Sequence, residues 1–133
     1  MIFKGLNKNG DWVCGEGIVP CPKDKDYTYV VNSPDDLCFG CRVKNETLCV
    51  GTQIKDSDGR EVFENDIIMI KFGEDEYYYV VKYDKRCGQY YLLNSNVRFD
   101  VINDLSVELR FYVVGNALTH TELLNRALKR NNQ

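Results

Sequence analysis

One stretch of the sequence decides the fold: Ile54-Lys55-Asp56-Ser57-Asp58-Gly59-Arg60-Glu61-Val62-Phe63-Glu64-Asn65-Asp66-Ile67-Ile68-Met69-Ile70. Its order predicts a strand, a tight turn, a short strand, a second turn and a long buried strand. Asp58-Gly59 is a strong hairpin signal, because glycine accepts a positive φ without a steric clash. The closing run, Ile67-Ile68-Met69-Ile70, is too short for an independent helix and suits a strand covered on both faces.

The second turn, Glu64-Asn65-Asp66, has polar residues that turn chemistry explains. Asn65 tolerates a left-handed backbone, and the Asp66 carboxylate can accept backbone N–H groups. Glu64 and Asp66 are also a carboxylate pair of the kind used in acid–base catalysis, but no histidine or nucleophile lies nearby in sequence. The sequence therefore predicts structural turn roles for six residues: Asp56, Asp58, Gly59, Glu64, Asn65 and Asp66.

Length and composition predict one globular domain over residues 1–133. Hydrophobic residues make up 44% of the chain and the net charge is −3, which is typical of a folded core and not of disorder. No apolar run is long enough to span a bilayer, and the N-terminus lacks the apolar stretch of a signal peptide. We therefore expect a cytoplasmic protein with no membrane partner.

Six cysteines raise the question of metal binding. Without a secretory signal, the reducing cytosol argues against a disulfide framework. Cys38 and Cys41 have the spacing of half a zinc site, and Cys14 with Cys21 could supply two further ligands. However, Cys14 and Cys21 are not closely spaced, and the single histidine, His120, is remote in sequence. We expect no metal and no cofactor, with zinc on these four cysteines as the alternative.

Tyrosine is concentrated in a second predicted hairpin, formed by 77–83 and 89–93. Aromatic side chains on a sheet can stack single-stranded bases, and aromatic cross-strand pairs also stabilise sheets by themselves. The stabilising role is favoured. Four residues remain candidates for base stacking: Tyr77, Tyr79, Tyr90 and Tyr91.

The C-terminus changes to a helical period. Thr119 and Glu122 have the spacing of a capping box at the start of a helix. The following residues form one apolar stripe: Leu123, Leu124, Ala127 and Leu128. A helix of about ten residues is not stable alone, so we expect it to dock on the sheet or on another chain.

Several of these segments together resemble the YopX-like family of phage and prophage proteins. The most specific block is Val62-Phe63-Glu64-Asn65-Asp66-Ile67-Ile68, preceded by Ile54-Lys55-Asp56 and Gly59. Near the C-terminus, Val113-Val114-Gly115-Asn116 resembles the closing signature of the family. The family usually has glycine where this chain has Asn65, and its pattern is broken at Gln53.

The resemblance implies a mainly β fold, an SH3-like partly open β-barrel or roll with a short C-terminal helix. It implies no established activity, no catalytic residue and no cofactor. A role as a YopX-like, non-enzymatic accessory protein of a phage or prophage follows as an expectation, with an unknown protein partner or self-association.

Two other classes of function remain as alternatives. The first is single-stranded nucleic-acid binding through the tyrosine-rich hairpin. Duplex DNA is disfavoured, because residues 54–76 carry eight acidic and three basic side chains, a local charge of −5 that repels phosphate. The second is an enzyme, and the single histidine with no nucleophile motif or phosphate loop argues against it.

Overall fold

The computed structural model describes residues 2–32, 41–94, 97–99, 110–120, 122 and 124–125. Strand makes up 62% of the structure and helix 6%, which confirms the mainly β class. The chain divides into two compact units, an N-terminal unit of residues 1–53 and a C-terminal unit of residues 54–133. A single folding domain over 1–133 stays a prediction.

The N-terminal unit contains two antiparallel sheets. Its strands are β1 (Phe3–Leu6), β2 (Trp12–Gly15), β3 (Gly17–Pro20), β4 (Tyr27–Val31), β5 (Cys41–Lys44) and the first part of β6 (Cys49–Lys55). One sheet has the order β2-β1-β6 and the other the order β3-β4-β5. A 3-10 turn over Asn45–Thr47 joins β5 to β6.

Two glycines allow the sheets of the N-terminal unit to approach closely. A Cβ built on Gly5 would lie 2.7 Å from the Val43 side chain. A Cβ on Gly15 would lie 2.7 Å from both the Val30 side chain and the Val31 carbonyl oxygen. Val30, Val31 and Val43 are all buried. Valine side chains of one sheet therefore pack directly against the glycine backbone of the other.

The C-terminal unit contains one five-stranded antiparallel sheet. The strands of this sheet are β8 (Asp66–Phe72), β9 (Asp75–Asp84), β10 (Gln89–Asn94), β11 (Val97–Phe99) and β12 (Arg110–Asn116), whereas β7 (Glu61–Phe63) pairs with β6. The sheet order is β11-β10-β9-β8-β12, and β7 follows β6 through the turn at Asp56. The predicted sequence of strand, turn, short strand, turn and long strand is therefore found from β6 to β8.

Both faces of β8 are buried, as its apolar run predicts. Ile68 and Ile70 pack in one cluster, which also contains Phe111. On the other face Ile67 packs with Val80. Alternate residues of a strand point to opposite faces, so a continuous apolar run is required where both faces are covered.

The predicted C-terminal helix falls largely outside the described residues. Those that are described, Glu122, Leu124 and Asn125, are helical, and Leu124 packs against the cluster around Ile67. The helix as a whole stays a prediction. The described strands form no closed barrel, and an SH3-like roll stays a prediction. No helix among the described residues has the length and apolar character needed to cross a bilayer.

Candidate functional site

Asp56 lies in the segment that precedes the family block, and its carboxylate accepts hydrogen bonds from the chain's own backbone. It is 7% exposed. Oδ1 accepts the backbone N–H groups of Asp58 at 2.9 Å and Arg60 at 2.8 Å. Oδ2 accepts the N–H of Val113 at 2.9 Å. Asp56 therefore shapes its own turn and also binds β12.

The same turn covers the outer edge of β12. The N–H of Ser57 donates to the carbonyl of Phe111 at 2.9 Å, and the N–H of Phe111 donates to Ser57 Oγ at 3.0 Å. β12 is the last strand of its sheet, and an uncovered edge is prone to pair with other chains. The Asp56–Ser57 turn thus replaces a neighbouring strand.

Asp66 has an equivalent role at the second turn. It is 1% exposed, and its two oxygens accept the Phe63 N–H at 2.8 Å and the Asn116 side-chain amide at 3.0 Å. Asn116 in turn accepts the Leu118 N–H at 2.9 Å, and its own N–H donates to His120 Nδ1 at 3.0 Å. This network ties the family block to its closing signature.

Asn65 adopts the left-handed conformation with a φ of 70°, which asparagine tolerates better than most residues. Its N–H donates to the Val81 carbonyl at 2.7 Å, and its carbonyl accepts the Ala117 N–H at 2.8 Å. Lys82 Nζ donates to its side-chain oxygen at 3.0 Å. Three hydrogen bonds therefore fix the position of Asn65, and the polar residues of this turn stabilise the fold.

The four candidate stacking tyrosines are divided between two faces of the sheet. Tyr79 is 9% exposed and belongs to the core cluster, against which Tyr77 and Tyr90 also pack. Tyr91 pairs with Lys82 across the strands and therefore lies on the opposite face. They do not form one platform, and a binding role for them stays a prediction.

Tyr90 lies close to a second tyrosine and to two carboxylates. Tyr90 stacks obliquely on Tyr83 with ring centroids 5.0 Å apart. Burial and the negative charges of Glu64 and Glu61 raise the pKa of Tyr90. These negative charges oppose the approach of phosphate.

The opposite face of the hairpin carries an ion pair. Arg98 lies 4.1 Å from the centre of the Tyr91 ring and forms a 2.8 Å ion pair with Asp84. Asp84 also accepts the Arg86 N–H at 2.9 Å. The Arg86 N–H and the Arg98 guanidinium together lower the pKa of Asp84 to about 2.

The Asp84 carboxylate is expected to titrate with a pKa of about 2 when followed by NMR. Because this folded-state pKa is depressed, its contribution to stability is present above the ordinary aspartate pKa and is lost as the pH falls through about 2. Arg98→Gln is expected to raise the pKa partway toward its ordinary range, since the Arg86 N–H remains. An unchanged pKa in Arg98→Gln would exclude the ion pair as a cause.

The cysteines proposed as zinc ligands are differently exposed. Cys14 and Cys41 are exposed and Cys21 is buried, while Cys38 lies outside the described residues. Among the residues that the structure describes, no group of three or more His, Cys, Asp or Glu side chains could hold a metal ion. The zinc alternative stays a prediction.

The N-terminal unit presents a second aromatic surface, which the sequence reasoning missed. Tyr27 pairs with Lys44 and Tyr29 with Arg42 across β4 and β5, so the four side chains share one face. We call it the Tyr–Arg face. The Arg42 guanidinium lies 5.2 Å from the centre of the Tyr27 ring, within the range of a cation–π contact.

Two clefts are lined in part by residues of the Tyr–Arg face. The apolar cleft, of about 300 Å³, is lined by Val19, Pro20, Pro22, Lys23 and Tyr29. The polar cleft, of about 500 Å³, is lined by Asp26, Tyr27, Lys44, Asn45 and Glu46. Each cleft therefore has one of the two tyrosines in its wall.

Cys21 lies between the two prolines of the apolar cleft. Burial by itself raises the pKa of the Cys21 thiol, but hydrogen bonds from the Lys23 and Asp24 N–H groups, the Tyr29 hydroxyl and Arg42 outweigh it. The pKa is therefore lowered. These contacts link Tyr29 and Arg42 to the loop that follows β3.

Together these features define a mainly antiparallel β protein in which the Asp56 and Asp66 carboxylates have structural roles. A model of the family described as YopX protein matches residues 8–125. The chain belongs to the YopX family, as the resemblance predicts. No curated protein and no solved structure matches the chain.

Proposed function

We propose that this chain is a non-enzymatic accessory protein of a phage or prophage and acts in the cytoplasm as a protein-interaction module. The observation that carries the proposal is the use of Asp56 and Asp66 as internal acceptors for the chain's own N–H and amide groups. These two carboxylates serve the scaffold. The function then resides on the surface, as it does in most SH3-like rolls.

Two exposed apolar side chains near the end of β12 support a protein partner. Val114 is 36% and Leu118 42% exposed, and they lie on either side of the buried Asn116 in sequence. Large apolar side chains at the surface are favourable anchors for another protein. A partner that covered both would remove them from water without disturbing the Asp66–Asn116 network.

Base stacking on the tyrosine-rich hairpin has less support as a function. Three of its four tyrosines pack against the core, and the pKa of Tyr90 is raised by burial and nearby carboxylates. We therefore give priority to the protein partner.

The proposal is tested by replacing the exposed apolar side chains. If the partner is another protein, we expect the double variant Val114→Ser/Leu118→Ser to capture about tenfold less of it from a lysate of cells that express the chain. If the partner is a second copy of the chain, we expect self-association measured by light scattering to weaken by a similar factor. Ile18→Ser is the matched control, because Ile18 is 40% exposed but belongs to β3, and it should retain binding. A monomeric wild type that captures no protein beyond a blank resin would contradict the proposal.

A further inference from the structure

The Tyr–Arg face combines the two features that single-stranded nucleic acid requires, namely aromatic walls and cations. Tyr27 and Tyr29 are separated by one residue on β4, roughly 7 Å along the strand. Stacked bases of a duplex strand are only about 3.4 Å apart. Bases held at the two tyrosines must therefore be unstacked from each other, as they can be in a single strand.

We propose that the Tyr–Arg face binds single-stranded nucleic acid, with one base in each cleft and the intervening phosphate on Arg42. This inference is independent of the protein partner proposed above. It also places the nucleic acid on the N-terminal unit and not on the tyrosine-rich hairpin that the sequence singles out.

The apolar cleft suits the faces of a base. Its walls are formed by a tyrosine ring, two prolines and a valine, which offer flat or apolar surface, and the Tyr29 hydroxyl is already bonded to Cys21. Lys23 is the one charged side chain among the residues that line this cleft. A base inserted here would contact Tyr29 while its phosphate remained within reach of a cation.

The polar cleft suits a base edge. The Arg42 guanidinium over Tyr27 extends the planar surface on which a base can stack. Asp26, Asn45 and Glu46 provide oxygens that can accept hydrogen bonds from exocyclic amines, as carboxylates do with cytosine. The two clefts therefore offer complementary contacts to neighbouring nucleotides.

The charge of this surface is compatible with phosphate. Across the face and its clefts, three cations (Lys23, Arg42 and Lys44) stand against two carboxylates (Asp26 and Glu46), a net +1. Residues 54–76 carry −5. A small positive excess predicts moderate affinity and few released counterions.

An added peptide strand fits this surface less well. β3 lies at the edge of its sheet, but it ends at Pro20, which has no N–H to donate to an incoming strand. Proline is one of the residues that protect edges from pairing. At the β3 edge, recognition by side chains in the clefts is therefore favoured over strand addition.

The experiment measures binding of the whole chain to a fluorescein-labelled oligothymidylate of about 12 nucleotides, by anisotropy at salt concentrations from about 50 to 200 mM. We expect saturable binding that weakens at least about fivefold for each of Tyr27→Leu and Tyr29→Leu. Tyr27→Phe and Tyr29→Phe should retain it, because the rings remain. Arg42→Gln should lower the salt slope by about 0.7.

Tyr112→Leu is the matched control, because Tyr112 is a half-buried tyrosine of β12, and its affinity should equal that of the wild type. Circular dichroism of every variant checks folding. If the leucine variants unfold, Arg42→Gln and Lys44→Gln carry the test, since both side chains are exposed. No saturable binding, equal binding of a duplex, equal loss in Tyr112→Leu, or displacement by a polyglutamate peptide would each overturn the proposal.

Discussion

Asp66→Ala is expected to lower the free energy of unfolding by roughly 4 kcal/mol. The substitution removes the acceptors of the Phe63 N–H and the Asn116 side-chain amide in a site that is 1% exposed. Each buried donor left without an acceptor costs roughly 1–3 kcal/mol. The measurement is urea unfolding followed by circular dichroism, with the midpoint compared at an unchanged slope.

Two variants separate this network from a general effect of charge. Asp66→Asn keeps the volume and one acceptor oxygen, and we expect it to lose about half as much stability. Asp58→Ala removes an exposed carboxylate from the neighbouring turn and should change stability by less than about 0.5 kcal/mol. If Asp66→Ala were no worse than Asp58→Ala, the carboxylate would have no structural role and a role in binding or catalysis would have to be reconsidered.

The local structure of the family block could be predicted because it depends on neighbouring residues. Gly59 and Asn65 have φ values of 84° and 70°, and both residue types are favoured in such turns. The apolar run of β8 indicates a strand covered on both faces. Turn chemistry and hydrophobic periodicity depend on residues that are close in sequence, so a single sequence is enough to predict these turns and strands.

The partners of the motif carboxylates could not be predicted in the same way. Asp66 binds Asn116 from 50 residues away, and Asp56 binds Val113 from 57 residues away. The resemblance identifies both ends of the chain as parts of one signature without indicating that they touch. Those contacts arise from the sheet order, which places β12 beside β8.

The candidate surface was harder still to predict. Tyr27 and Tyr29 alternate on β4, but their neighbours on β5 depend on a register that only the folded chain defines. β3 contains both a glycine and a proline, which strands disfavour, and no strand was predicted there. The sequence shows that the hairpin is rich in tyrosine. It does not show that both faces of β9 are buried, because that depends on the elements that pack against the sheet.

Gly15→Ala is expected to destabilise the N-terminal unit by about 3 kcal/mol. The added Cβ would lie 2.7 Å from the Val30 side chain and 2.7 Å from the Val31 carbonyl oxygen. A side chain can move away, but the carbonyl belongs to β4 and moves only with its strand. Because β4 also carries Tyr27 and Tyr29, the strain reaches the Tyr–Arg face.

Gly17→Ala is the control, because its Cβ would meet Val31 at an ordinary 3.4 Å. It should be neutral or slightly stabilising, since alanine restricts the unfolded chain. Thermal unfolding and amide hydrogen exchange of β4 measure both variants. Faster exchange in Gly15→Ala alone would locate the strain at the contact between the sheets, whereas equal behaviour of the two variants would mean that these sheets can separate freely. In that case a rigid pair of clefts on β4 could not be maintained.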